Sequence, residues 1–94
     1  MRAVGSILAF LASAVLAGSV SAASQKDLRD CDQSRDDVRI AGCTRVINSG
    51  DVSVRTLASA YNKRAIALKN KGQIESALAD YGQSIRIDPS FSDP

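Results

Sequence analysis

The 94-residue chain has no histidine and no tryptophan, one methionine, two prolines, two cysteines and only 4% aromatic residues. Without histidine no side chain has an unperturbed pKa near neutrality, so the usual general bases and nucleophile–base pairs are excluded. The same absence, with only two cysteines, leaves too few nitrogen and sulfur ligands for the common zinc sites. No glycine-rich phosphate loop follows a strand pattern. A strong surplus of either sign of charge is lacking too. Twelve Lys and Arg stand against ten Asp and Glu, and one of the twelve is Arg2. That balance gives no reason to expect nucleic-acid binding, which needs a basic surface. The sequence therefore predicts no enzyme, no catalytic residue, no metal, no cofactor and no nucleic-acid partner.

The apolar residues are unevenly spread. Residues 1–23 read MRAVGSILAFLASAVLAGSVSAA, with Arg2 as a positive start, an apolar run from Val4 to Leu16, and small side chains at Val20-Ser21-Ala22. This is the three-part secretory signal pattern, and it predicts a signal peptide over 1–22 with cleavage after Ala22. The alternatives are a transmembrane anchor and a lipidated N-terminus. The apolar run of 13 residues is short of the roughly 20 that cross a bilayer, and no Cys sits at the cleavage point. The expected product is periplasmic or extracellular, with no stable membrane insertion after cleavage. It retains about 72 residues, enough for one small core.

Export favours a bridge between Cys31 and Cys43. Metal binding would need two further ligands, and a redox pair would need Cys-x-x-Cys spacing. Along one continuous helix the two residues would lie about 18 Å apart, whereas a bridge requires Cα atoms within about 7 Å. The chain must therefore turn back between them, and Asp32-Gln33-Ser34 is the expected place.

Three stretches carry helical periodicity. In 52–72, Val54, Leu57, Tyr61, Ala65 and Leu68 share one face, with Ser53 as a cap and Gly72 as a left-handed stop. In 73–88, Ile74, Ala77, Leu78, Tyr81 and Ile85 repeat the pattern, and Pro89 ends it. Gly82, inside that helix, costs up to about 1 kcal/mol relative to Ala, so packing has to hold it. Upstream, 34–48 places Ile40, Cys43, Val46 and Ile47 on one face, with a candidate capping box at Ser34 and Asp37. Lys26 to Cys31 reads as a shorter helix before it.

Tyr61-x2-Arg64-Ala65-x2-Leu68, then Gly72, Ala77-x3-Tyr81 and Pro89, resembles one tetratricopeptide repeat from Ala58 to Phe91, the 34-residue period of that family. The repeat-defining positions are Tyr61, Ala65, Leu68, Gly72, Ala77, Tyr81 and Pro89. Arg64 departs from it where the family keeps an apolar residue, Leu68 where it keeps an aromatic, and Ser84 where it keeps an alanine. A weaker copy aligns Ala41–Ile47 with Ala79–Ile85, offset by 38 residues. The resemblance implies an all-α fold of antiparallel helical hairpins, a short α-solenoid. Together with the signal pattern, it divides the chain into a signal peptide (1–22), a degenerate Cys-stapled half-repeat (23–51) and a repeat-like hairpin (52–94). Arrays of this kind usually need about three repeats. One and a half suggest a shortened relative of a longer array, or a chain that completes its core with another.

Charge is asymmetric within the hairpin. Residues 52–72 carry Arg55, Lys63, Arg64, Lys69 and Lys71 and no acid, whereas 73–94 carry Arg86 against Glu75, Asp80, Asp88 and Asp93. Arg55, Ser59, Asn62, Lys63, Ile66, Lys69 and Asn70 fall on the face away from the Leu57–Tyr61–Leu68 stripe. The resemblance makes that face the lining of a peptide-binding groove. A merely solvated face is the alternative, with Lys69 and Lys71 complementing the helix dipole. The carboxylate-clamp relatives keep a Lys and an Asn one turn apart there. Asn62 and Ile66 stand at those positions, so that partner class is not expected. Asp30, Asp32, Asp36 and Asp37 read as a solvated cluster balanced by Arg29, Arg35 and Arg39. The functional expectation is an exported protein–protein interaction module whose partner is a protein or peptide, including a second copy of itself. The alternatives are a small disulfide-stapled structural or inhibitory protein, or a truncated repeat protein without independent function.

Overall fold

The computed structural model describes residues 22–92. The expected signal segment, apart from Ala22, lies outside the described residues. Every regular element among them is helical: α1 (Gln25–Cys31), α2 (Asp36–Ser49), α3 (Val54–Asn70) and α4 (Ile74–Ile87), followed by a 3-10 turn at Pro89–Ser92. No described helix is long and apolar enough to cross a membrane.

Local chemistry fixes the ends of the helices. Ser53 caps α3 by accepting from the Thr56 N–H at 3.0 Å. Gly72 takes φ +83 just past its other end. There the Gly72 N–H donates to the Lys69 carbonyl and the Gln73 N–H to the Leu68 carbonyl, the Schellman closure that a left-handed glycine permits. Gly50, at φ +75, ends α2 in the same conformation. The capping box expected at Ser34 and Asp37 is absent. α2 starts one residue later than that box requires, with Arg35 at the cap and no side-chain hydrogen bond to it. The box stands instead at Ser24 and Asp27, which close the start of α1 reciprocally.

Consecutive helices run antiparallel. Arg45 of α2 reaches back to Asp27 and Asp30 of α1 at 2.7 and 3.0 Å. Asp36 and Asp37, at the start of α2, meet Asn70 and Lys71 at the end of α3. Arg64 of α3 meets Asp80 of α4, and Ser84 donates to the Ala58 carbonyl at 2.8 Å. The expected Cys31–Cys43 disulfide ties α1 to α2, with the two Cα atoms 4.4 Å apart and the chain turning at Asp32–Arg35. Beside it, Gly42 lets α1 approach closely. A Cβ there would lie 2.5 Å from the Asp30 Cβ and 2.5 Å from the Cys31 backbone nitrogen.

The core is built of small side chains. Cys31, Cys43, Val46 and Ala60 form one cluster, flanked by Leu28, Ile47 and Val52. Ala65, Leu68 and Ala77 form a second, flanked by Ile40 and Tyr81. The periodic stripes are only partly inside. Ala65, Leu68 and Ala77 are buried, but Val54, Ile74, Leu78 and Ile85 are exposed. α4 packs on α3 through Ala77, Asp80 and Ser84 instead. Small residues on both surfaces let the two helices approach closely, and the bulkier stripe is rotated out of that contact.

Candidate functional site

The face expected to bind lies on α3, and the structure divides it. Arg55, Ser59 and Lys63, spaced four apart and so on one side of the helix, border an open groove of about 480 Å³. Thr56 and Ala60 of α3 share its floor, and Leu28, Cys31 and Val46 form one wall. Asp32 stands at its edge, and Phe91 of the C-terminal turn closes the far side. Asn62, Ile66, Lys69 and Asn70 do not line it. Asn62 and Ile66 are half-buried, and Lys69 and Asn70 are exposed towards the C-terminal end of α3.

The groove mixes apolar side chains with Thr56, Ser59 and three charged groups, Asp32, Arg55 and Lys63. Lys63 is ion-paired with Asp32. Arg55 lies 3.5 Å from the Asp88 carboxylate, and its guanidinium sits 5.8 Å from the centre of the Phe91 ring. Hydrogen bonds from the Ser90 hydroxyl and backbone N–H, helped by Arg55, hold the Asp88 carboxyl below its ordinary pKa. A ligand therefore meets cations that already have acidic neighbours. Such exposed pairs contribute only about 0–1 kcal/mol each, so an incoming carboxylate can replace either neighbour.

The acidic cluster around the α1–α2 turn is balanced differently from expectation. Its partners are not Arg29, Arg35 and Arg39 but Lys26 of α1 itself and groups from α2 and the C-terminal half of α3. Asp30 is held by Lys26 and Arg45, Asp32 by Lys63, Asp36 by Asn70 and Asp37 by Lys71 at 2.6 Å. Their hydrogen bonds lower the Asp30 pKa and raise that of Lys71. Much of the basic face of α3 is thus engaged by the chain's own acids. Lys69 makes no ion pair among the described residues.

No family model, curated protein or solved structure matches the chain.

A second hollow, of about 360 Å³, lies between α2 and α4 around Thr44, Arg64 and Asp80. Arg64 grips both Asp80 oxygens at 2.6 and 2.9 Å, donates to the Thr44 hydroxyl at 3.1 Å and lies 5.5 Å from the Tyr61 ring centre. The hydrogen bond to Asp80, more than the opposing burial, raises the Arg64 pKa. These polar groups satisfy one another, which makes this hollow a structural joint of three helices. Two departures from the repeat pattern, Arg64 and Ser84, thus have structural employment. Arg64 links α2, α3 and α4, and Ser84 bonds α4 to α3. Sequence reasoning missed Leu28, Val46 and Phe91 as groove walls, since they are remote in sequence and no local period connects them.

Proposed function

We propose that the chain is an exported, disulfide-stapled helical module, similar to tetratricopeptide repeats, that binds a segment of another polypeptide. The groove bordered by Arg55, Ser59 and Lys63 is the observation that carries this reading. It joins apolar lining from Leu28, Val46, Ala60 and Phe91 to displaceable cations, a combination suited to an extended peptide with an acidic side chain or a free carboxylate. The Cys31–Cys43 disulfide supports the export limb, since such bonds persist in oxidising compartments.

Peptides selected from a displayed random library on the exported, oxidised chain provide the probe. Acidic residues are expected among them, and binding should weaken as salt rises. Ser59→Arg, which projects a bulky side chain into the groove from its border, should abolish binding without lowering the melting temperature. Lys63→Glu combined with Lys69→Glu should slow association. Asp32→Ala, which releases Lys63, should tighten binding up to roughly fivefold. Selected peptides that bind Ser59→Arg as well as the parent would place recognition elsewhere and end this reading. N-terminal sequencing of exported material should begin at Ala23 or Ser24, and a retained Arg2 would remove the export limb.

A further inference from the structure

The large apolar side chains that the described fold leaves outside lie mainly along one strip of α4. Ile74, Leu78 and Ile85 are 50%, 63% and 42% exposed, and spacings of four and seven residues keep them in line. At about 100° per residue, the strip sits roughly a quarter-turn from the Ala77–Ser84 edge that packs on α3. Next to it lies Gly82. A Cβ there would meet only the tip of Arg86, at 4.0 Å. Nothing within the described fold requires glycine at a position where it weakens the helix relative to alanine. Glu75 and Arg86 flank the strip at opposite ends of α4. Both are exposed, and neither has an ion-pair partner among the described residues.

These observations fit one occupant, an antiparallel second copy of α4. A two-fold axis at the level of residue 80 sets Leu78 of each copy against Gly82 of the other, where the missing Cβ leaves room for it. The same register brings Glu75 beside Arg86 of the second copy, twice over. A parallel pairing would oppose Glu75 to Glu75 and Arg86 to Arg86, so charge selects the antiparallel arrangement. We infer that the outer strip of α4 is a self-association surface, through which the chain forms an isologous dimer with Gly82 at the helix crossing. One helix face per copy is at the small end for specific interfaces, so the dimer is concentration-dependent. It lies on a different helix from the groove, and the two surfaces act independently.

Sedimentation velocity of the exported, oxidised chain over a dilution series tests this. The mass should move from monomer to dimer as concentration rises. Leu78→Asp should hold it at monomer with unchanged helical circular dichroism, because Leu78 is exposed in the single chain. Gly82→Ala should weaken dimerisation by at least about tenfold, by adding a methyl at a close helix contact. The melting temperature of dilute Gly82→Ala should not fall, a combination that damage to the fold cannot produce. Glu75→Arg and Arg86→Glu should each weaken the dimer, and the double variant should restore it. Ser59→Arg should leave dimerisation unchanged, which separates failure here from failure of the groove. A monomer at every concentration overturns the inference, as does a dimer indifferent to Leu78→Asp or a double charge exchange that restores nothing.

Discussion

Replacing glycine by alanine in α2 and in α4 should have opposite effects. At Gly42 the new methyl would meet the Asp30 Cβ and the Cys31 backbone nitrogen, each at 2.5 Å, with the Asp30 carbonyl carbon at 2.7 Å. Two of these atoms are backbone, so no rotamer change relieves the overlap and α1 itself has to retreat. Overpacking of this kind costs about 1–3 kcal/mol, and contact with backbone places it near the upper end. Alanine's helix preference offsets up to about 1 kcal/mol. The net loss is about 2 kcal/mol, which lowers the melting temperature of a domain this small by roughly 8–16 °C. At Gly82 the methyl meets only the flexible tip of Arg86, at an ordinary contact distance of 4.0 Å. Only the helix preference remains, worth up to about 1 kcal/mol and roughly 4–8 °C upward. Circular dichroism melts of the dilute, oxidised variants measure both. Reducing the disulfide frees α1 to move away, so the Gly42→Ala penalty should shrink under reductant. Gly42→Ala melting at or above the parent temperature would refute the close approach of α1 to α2.

Four further outcomes are expected. Arg64→Met should cost up to about 3 kcal/mol in denaturant unfolding, because Asp80, whose side chain is 8% exposed, loses its cation; adding Asp80→Leu should recover most of the loss. Replacing Cys31 and Cys43 together by serine should cost roughly 3 kcal/mol by the same measurement. The lowered carboxyl pKa values of Asp27, Asp30 and Asp88 stabilise the fold fully above the ordinary carboxylate value of about 4, and that contribution is lost as pH falls through their folded values. Melting temperature should therefore drop on acidification below about pH 4, and Arg45→Gln, which removes a partner of Asp27 and Asp30, should flatten the drop. Removing residues 1–22 turns the Ala23 nitrogen, 3.2 Å from the Asp51 carboxylate, from an amide into an ammonium. Asp51→Asn should then lower the melting temperature of the processed chain more than that of the precursor.

Features set by neighbours in sequence were legible beforehand. The helical class, the Ser53 cap, the Gly72 stop and the turn between Cys31 and Cys43 each follow from a few adjacent residues. The orientation of α4 was not legible. Periodicity identifies an apolar face but does not say what covers it, and α4 packs through Ala77, Asp80 and Ser84 while Ile74, Leu78 and Ile85 stay outside. Charge partners were hidden for a related reason. Asp32 and Asp37 look balanced by nearby arginines in sequence, yet Lys63 and Lys71 reach them across the fold. Half of the expected site was similarly out of reach. A helical wheel picks out Arg55, Ser59 and Lys63, but the walls come from α1, α2 and the turn at Phe91. Gly42 offered one faint signal, a glycine inside a helix beside a bridged cysteine.

The order of packing has a kinetic consequence. α1 rests mainly on α2, α2 on α3 and α3 on α4, so each principal contact joins stretches that are adjacent along the chain. Such a topology has a low contact order, and chains of that kind fold on microsecond-to-millisecond scales. Assembly can begin at either hairpin and spread to the other, since neither depends on a strand or helix from the far end of the molecule. Cys31 and Cys43 are separated by 12 positions and are brought together by the α1–α2 turn alone. Their oxidation therefore does not have to wait for α3 and α4, and once formed the bond leaves only the α2–α3 and α3–α4 contacts to complete.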